Sequence, residues 1–248
     1  MRCYKLLLSF FCCLSSQYTL AACNEPPANN VNWSACDKSD DNLKDLSLIR
    51  AVLDEINLSG STLTKINLSN AAMGYSNLSK TTWSNVRATN VHLVGSNLSY
   101  STLKKVRFNG SNFDRANLNQ ISFENVQVAN AQFYNASMKN AHAHNTDFSR
   151  SNMEQINLSE ADLTGSNLEY VVLTKANLEN TKFVDTRLNK AKFIRANLYE
   201  ADFTNADLRG ADFSNADITG AIFTNAKLGN TTWINHKRCR RGSIGECK

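Results

Sequence analysis

Residues 191–225 read AKFIR ANLYE ADFTN ADLRG ADFSN ADITG AIFTN, and this stretch decides the fold. An alanine opens each group of five, and a large apolar residue stands third. A period of five matches neither the 3.6-residue period of an α-helix nor the two-residue period of a strand. We therefore predict a chain that turns a corner once per repeat, with the first and third residues of each repeat pointing inward.

The same register runs through most of the chain. Steps of five from Leu43 to Trp233 give 39 positions, (233 − 43)/5 + 1, and every one is apolar. Among them only Ala88 and Ala143 are small, so the core is expected to be thinner there. From residue 51 onward the first position of each repeat holds Ala, Ser, Thr, Val or Ile. Four such corners would close a square coil of twenty residues.

A coil of twenty residues would stack residues that lie twenty apart, and each side should then show like residues. One outward position carries a surface ladder of asparagines: Asn57, Asn77, Asn97, Asn117, Asn157, Asn177 and Asn197. Three inward sides carry a core ladder: Phe183, Phe203 and Phe223; Phe193 and Phe213; Leu158, Leu178 and Leu198. Stacked amides at strand spacing can hydrogen-bond to one another. The sequence predicts an all-β, four-sided coil of just under ten turns.

The N-terminus has the features of a secretory signal peptide. Arg2 and Lys5 precede a nine-residue apolar run at 6–14, and small residues precede Cys23. We predict that residues 1–22 are removed near Ala22/Cys23 and that the mature chain is exported, to the periplasm or beyond the cell. Leu20-Ala21-Ala22-Cys23 also resembles a bacterial lipobox, so lipidation of Cys23 is the alternative that would place the protein at a membrane.

The cysteine count favours disulfides over lipidation. Without residues 1–22 the chain keeps four cysteines, two near each end: Cys23, Cys36, Cys239 and Cys247. Close cysteines in an exported protein become disulfides, and lipidating Cys23 would leave Cys36 unpaired. Loss of Arg2 and Lys5 also lowers the formal charge from +5 to +3. Such a weakly basic chain lacks the charge of a nucleic-acid-binding protein, which argues against nucleic acid as a partner, and it has the wrong sign for an acidic mimic of DNA.

The repeat unit resembles that of the pentapeptide-repeat family, whose pattern is A(D/N)LXX. Good matches are Ala161-Asp162-Leu163, Ala201-Asp202-Phe203 and Ala211-Asp212-Phe213. The resemblance covers about residues 41–233 and implies a right-handed quadrilateral parallel β-helix. It makes residues 43–233 a solenoid of about ten coils.

Both ends resemble the cysteine-bracketed caps of exported bacterial members of that family. The first, residues 23–42, contains Pro26-Pro27 and the stretch Val31-Asn32-Trp33-Ser34-Ala35-Cys36, which departs from the family pattern at Asn32 and Ala35. The second, residues 234–248, ends in Gly242-Ser243-Ile244-Gly245-Glu246-Cys247. The resemblance implies that Cys23 pairs with Cys36 and that Cys239 pairs with Cys247.

No catalytic or cofactor motif stands out in the sequence. His142 and His144 flank Ala143 and could share a metal ion with Asp147, but a specific site needs three or four ligands, so we predict solvated side chains. Asp before the central residue is the family's usual choice, and we therefore predict neither catalysis nor a calcium site at these positions: Asp162, Asp202, Asp207, Asp212 and Asp217. We predict no enzyme activity, no cofactor and no metal.

Basic side chains cluster in three places. The clusters are Lys104, Lys105 and Arg107; Lys182, Arg187, Lys190, Lys192 and Arg195; and Lys237, Arg238, Arg240, Arg241 and Lys248. The predicted function is a non-enzymatic exported scaffold that binds a protein or an acidic envelope surface. The alternatives are a DNA mimic that engages a type II topoisomerase, as some family members do, a lipid-anchored envelope protein, and a glycan-processing enzyme.

Overall fold

The computed structural model describes residues 23–248, so the predicted signal peptide at 1–22 lies outside the described residues. In the described chain almost every repeat ends on a residue whose backbone has the left-handed conformation. For example, φ is 55° at Arg50 and 59° at Glu55. The corner is closed by a backbone hydrogen bond such as the one from the Ala51 N–H to the Leu48 carbonyl, 3.2 Å. This conformation favours Asn and Gly, which are frequent at this position. The five-residue period is therefore a period of turns.

Successive coils pair in parallel at a spacing of twenty residues. Six strands form one parallel sheet in chain order: β1 Asn42–Lys44, β2 Thr62–Thr64, β3 Thr82–Ser84, β4 Thr102–Lys104, β5 Ser122–Glu124 and β6 His142–His144. Single parallel bridges continue the same register elsewhere, as between Asn57 and Asn77. We name the four sides by their outward bridging residues: face 1 from Asn32 to Thr232, face 2 from Asp37 to Asp217, face 3 from Asn42 to Ile222, and face 4 from Ser47 to Lys227.

The predicted four-sided parallel coil is confirmed, but the coil count differs slightly. Face 1 contains ten parallel steps of twenty residues between Asn32 and Thr232. The ladder thus begins before Leu43, inside the segment 23–42 that the sequence assigned to a cap. The central position of the second repeat explains the difference: Lys38 stands where later repeats have an apolar residue, so the apolar register alone misses this turn.

The inward residues of all four faces form one continuous core. Phe183 and Phe203 stack with ring centroids 5.0 Å apart, and Phe193 and Phe213 stack at 4.7 Å. The two stacks meet edge to face, as between Phe193 and Phe203 at 5.6 Å. Leu158, Leu178 and Leu198 are buried on face 2, whereas Phe223 in the last coil is only half-buried. The small centres Ala88 and Ala143 are fully buried.

Buried hydroxyls at the first position of the repeat are hydrogen-bonded, most of them to the neighbouring coil and a few, such as Thr186, within their own. The Ser96 Oγ donates to the Met73 carbonyl at 2.6 Å, and the Thr181 Oγ1 donates to the Leu158 carbonyl at 2.8 Å. Within residues 23–248 no buried side-chain nitrogen or oxygen is left without a hydrogen bond. Ser and Thr can therefore alternate with Ala at this position at little cost, because a buried polar group destabilises only when it is unpaired.

Short disulfide-bonded segments cover part of each end. Cys23 is bonded to Cys36, and the adjacent Trp33 is buried with its indole N–H donating to the Glu25 carbonyl at 3.1 Å. At the other end Cys239 is bonded to Cys247. The C-terminal segment folds back antiparallel on the last coil, through the pairs Thr232–Arg238 and Lys227–Ile244. No helix in the described chain is long and apolar enough to cross a bilayer.

Phe203→Ala tests the stacked core. It removes a fully buried ring that contacts Phe183 and Phe223 on the same face, and we expect a loss of about 3–5 kcal/mol in stability to chemical denaturation. Phe223→Ala is the matched control, because this half-buried ring ends the same stack and should cost clearly less. Equal losses at the two positions would contradict the weaker packing of Phe223 at the open end of the stack.

Candidate functional site

The asparagine ladder on face 2 serves the fold. The Asn77 side-chain N–H donates to the Asn57 Oδ1 at 3.1 Å, and Asn197 donates in the same way to Asn177 at 3.1 Å. The Asn57 Oδ1 also accepts the Ser59 backbone N–H at 3.2 Å. These amides cap their own turns as Asx turns do, and some also link adjacent coils, whereas Asn97 and Asn117 cap only their own turns. Asparagine at this position needs no ligand to explain it.

The repeated aspartates have the same structural role. The Asp202 Oδ1 accepts both the backbone N–H of Thr204, at 2.8 Å, and its hydroxyl, at 2.6 Å. Asp162, Asp212 and Asp217 bind the residue two positions later in the same way. These bonds hold the pKa of Asp217 below its usual value. The carboxylates are thus occupied as turn caps.

The two histidines lie on the outside of β6, but Asp147 is not their neighbour. The His144 Nε2 is 3.2 Å from the Asp162 Oδ2 on the next coil, while Asp147 accepts a hydrogen bond from Asn167 on face 4 at 3.0 Å. Partial burial acts to raise the pKa of Asp162, but the bonds from Thr164 and the attraction of His144 outweigh it, and the pKa is lowered. Residues 23–248 contain no group of three metal-ligating side chains.

The first basic cluster lines a shallow concavity at the corner between faces 3 and 4. Lys105 and Arg107 line it together with Arg87, which bridges to Arg107 on the next coil, and the cavity volume is about 430 Å³. Lys104 points elsewhere and forms an ion pair with Glu124 at 2.8 Å. Arg87 lies twenty residues before Arg107, so the twenty-residue coil period could have identified it as a member of this cluster.

The second and third basic clusters meet in a larger groove beside the C-terminal segment. Its volume is about 790 Å³, and it lies at the corner between faces 4 and 1. Lys190 and Lys192 line it from the solenoid, and Arg238 and Arg241 line it from the returning tail. The other members of the second cluster lie outside this lining: Lys182, Arg187 and Arg195. We call this the C-terminal groove.

Small residues allow the tail to approach the solenoid closely at the C-terminal groove. A Cβ on Gly229 would lie 2.4 Å from the Arg241 carbonyl oxygen, so only glycine fits there. The tail is held by backbone hydrogen bonds from the Leu228 N–H to the Ser243 carbonyl, 2.9 Å, and from the Asn230 N–H to the Cys239 carbonyl, 3.2 Å. The position of Arg241 thus depends on Gly229 and on the disulfide that closes the tail.

The C-terminal groove carries a positive excess. Arg209 on its edge is neutralised by Asp207, 2.5 Å away. Partial burial acts to raise the pKa of Asp207, but the bonds from Arg209 outweigh it and lower the pKa. Asp212 is the one carboxylate among the lining residues that the structure describes. Its Oδ1 caps the turn at Ser214. Four cations therefore face one occupied carboxylate, an arrangement suited to sulfate, phosphate or carboxylate groups.

Lys190 is partly held in place by an aromatic ring. Its Nζ donates to the Tyr170 hydroxyl at 3.2 Å and lies 5.1 Å from the centre of that ring. Tyr170 is on the preceding coil and outside the groove lining, and its contact restricts the freedom of the Lys190 side chain. The sequence did not predict that the two clusters meet in this groove, because no repeat in the sequence indicates where the tail folds back over the solenoid.

Comparisons with known proteins agree with this architecture. The chain matches the family profile described as pentapeptide repeats over residues 42–193 and 196–232. No curated protein sequence matches it significantly. HetL, a pentapeptide repeat protein involved in heterocyst differentiation regulation in the cyanobacterium Nostoc, is 22% identical with a TM-score of 0.50, covering 80% of this chain and 92% of HetL. The likeness to HetL shows the shared fold.

Two further solved structures are similar over parts of the chain. QnrB1, a plasmid-mediated fluoroquinolone resistance protein, is 23% identical with a TM-score of 0.36, covering 66% of this chain and 84% of QnrB1. A pentapeptide repeat protein of the Arabidopsis thaliana thylakoid lumen is 29% identical with a TM-score of 0.26, covering 40% of this chain and 66% of its own.

Gly229→Ala tests how the groove is assembled. The added methyl would collide with the Arg241 carbonyl, so the tail must shift, and the Leu228 and Asn230 N–H groups should exchange with solvent at least tenfold faster. Amide hydrogen exchange measures this directly. Gly242→Ala is the control, because a Cβ there meets nothing within 4 Å. Unchanged protection in Gly229→Ala would show that the tail does not pack against the last coil as described.

Proposed function

The chain belongs to the pentapeptide-repeat family, and we propose that it is an exported, non-enzymatic binding rod whose C-terminal groove engages acidic groups of a protein or envelope surface. The convergence of Lys190 and Lys192 with Arg238 and Arg241 carries this proposal. The stability of the fold does not explain why four cations lie together, because like charges in one groove repel and destabilise it. An anionic partner would relieve that repulsion.

The arginines and lysines of the groove have different roles in the proposed binding. The planar guanidinium groups of Arg238 and Arg241 suit the paired oxygens of carboxylate, sulfate or phosphate, and the lysines supply compact charge. The rod presents a rigid surface, so little ordering opposes binding. A series of acidic groups along a glycan, an envelope lipid surface or a protein loop could therefore fill the groove.

Export is supported by the predicted signal peptide and by both disulfides. Cys23–Cys36 and Cys239–Cys247 use all four cysteines that remain after residue 22. Disulfides persist in the periplasm and outside the cell and are rare in the cytosol. A bond from the Cys23 sulfur to Cys36 also leaves no thiol for an acyl chain, which disfavours the lipid-anchored alternative.

The remaining alternatives have less support. A DNA mimic needs an acidic surface, whereas residues 23–248 have a formal charge of +3 and the C-terminal groove is basic. A glycan-processing enzyme needs a pair of free carboxylates. In the described lining of the C-terminal groove, Asp212 caps a turn, and the other nearby carboxylate, Asp207, is paired with Arg209.

Neutralising the groove tests the binding role. We expect the combined replacement of Lys190, Lys192, Arg238 and Arg241 by Gln to weaken binding of a labelled sulfated oligosaccharide at least tenfold, because four charge-assisted contacts are lost. Fluorescence anisotropy at low and at physiological salt measures the affinity. Vesicles containing an anionic phospholipid form a second arm, which separates a lipid headgroup from a soluble glycan as the source of the anion.

The control variant removes the same charge elsewhere. It replaces two exposed lysines and two exposed arginines outside the groove by Gln: Lys80, Lys175, Arg50 and Arg115. It should bind nearly as well as the unmodified protein. Equal weakening by both variants would mean that net charge alone attracts the probe, and the groove would then have no special role.

The intact mass of the unreduced protein from each fraction of its own cells tests export. We expect a soluble envelope or medium species that begins near Cys23 and is four protons lighter than its reduced form, because two disulfides have formed. A membrane fraction with acyl mass on Cys23 would establish the lipid anchor instead. A cytosolic species that retains residues 1–22 would contradict export.

A further inference from the structure

The C-terminal segment leaves half of the last coil open. It covers faces 4 and 1, where Lys227 and Thr232 pair with the returning tail. On faces 2 and 3, in the described chain, the last bridging residues Asp217 and Ile222 pair only with the coil before them. Such an edge presents unpaired peptide groups that can accept a further strand.

Apolar side chains accompany this open edge. Ile218 and Phe223, the central residues of the last repeats on faces 2 and 3, are half-buried, whereas central residues in the middle of the rod are buried. Ile222 is 47% exposed and Ile244 in the tail is 60% exposed. The C-terminal end is therefore a partly apolar surface on a structure that elsewhere hides its core.

The opposite end is also incompletely covered. Residues 23–29 lie against Trp33 and beside Ile49, through the Glu25 carbonyl and the Asn29 side chain. On face 3 the first bridging residue, Asn42, pairs only with Thr62 of the coil that follows, and Leu43 and Leu46 are half-buried. Both ends thus combine a free parallel edge with partly exposed apolar residues.

The two ends carry opposite charge. Residues 23–42 hold four acidic side chains against Lys38, a net −3. Residues 234–248 hold five basic side chains against Glu246, a net +4. Two C-terminal ends would repel each other, and so would two N-terminal ends. An N-terminal end facing a C-terminal end would be attracted, and most strongly at low salt.

We propose that copies of this protein associate head to tail, with the acidic N-terminal end of one rod on the basic C-terminal end of the next. The contact covers Ile218, Ile222 and Phe223 and places the open edge of each end against the other copy. Each cap covers only part of its end, so rotation of one copy about the shared axis can place each cap over the other's open side. A head-to-tail contact does not close on itself, and it extends the rods into filaments.

Blocking one end at a time tests this arrangement on the exported protein with its disulfides intact. Ile222→Asp places an acid in the apolar contact at the C-terminal end, and the pair Glu25→Lys with Asp40→Lys changes the charge of residues 23–42 from −3 to +1 at the N-terminal end. Mid-rod controls make the same chemical changes away from the ends: Val172→Asp, and Glu154→Lys with Glu179→Lys. Light scattering and sedimentation velocity over a wide concentration range report the assembly, and thermal unfolding checks that each variant folds.

The unmodified protein and both controls should gain mass as concentration rises, less so in high salt. Each end variant alone should stay monomeric, because it has one blocked end, and an equimolar mixture of the two should form dimers and nothing larger. A protein that stays monomeric throughout would overturn the proposal. So would association of the N-terminal variant with itself, which would indicate tail-to-tail contact, or a mixture that forms no dimer. Assembly is measured without any polyanion, so its failure is separate from failure of the groove to bind one.

Discussion

The whole structure depends on backbone pairing between residues twenty apart. The Leu48 N–H donates to the Asn67 carbonyl at 2.8 Å, and the Asn67 N–H donates back to the Leu46 carbonyl at 3.0 Å. This exchange can repeat only if every coil has the same length, which requires a left-handed corner every five residues. The inward positions are then fixed as core and the residue before each centre as a turn cap. What remains free to vary is a narrow set of outward side chains.

The fold was predictable because the coil imposes two independent periods on the sequence, one of five residues and one of twenty residues. The apolar register from Leu43 to Trp233 gives the corners, and the stacking of Phe183 on Phe203 gives the twenty-residue coil. The register failed only at the N-terminal start, where Lys38 stands at a central position in a coil that still pairs through Asp37 and Asn57. End coils have solvent on one side, so their residues obey the core pattern less strictly.

The candidate site was predictable only in part. Its lysines stood out as a basic run, and the tail arginines stood out as another, but their meeting depends on the tail's antiparallel return at Arg238, which follows no period. The carboxylate beside His144 also differs from the one that is near it in sequence. Asp147 is three residues away along the chain but on another face, whereas Asp162 lies on the coil above. In a solenoid, side chains meet across multiples of twenty, and the caps are exceptions to that rule.

Regularity also explains where function can reside. Within residues 23–248 the parallel ladder uses nearly all its peptide groups and repeats without a long loop. Departures from the repeat are confined to the ends, and the C-terminal groove arises where the repeat meets a cap closed by Cys239–Cys247. Export and binding are linked in this account, because the compartment that oxidises the cysteines also fixes Arg238 and Arg241 beside Lys190 and Lys192.

The most direct test of the binding surface is an NMR titration of the isotope-labelled mature protein with a short sulfated oligosaccharide. We expect saturable shift changes concentrated at the C-terminal groove, including the backbone amides of Gly210 and Gly229, which line it. Shifts spread evenly over basic residues along the rod, or concentrated at Arg87 and Arg107 instead, would contradict it.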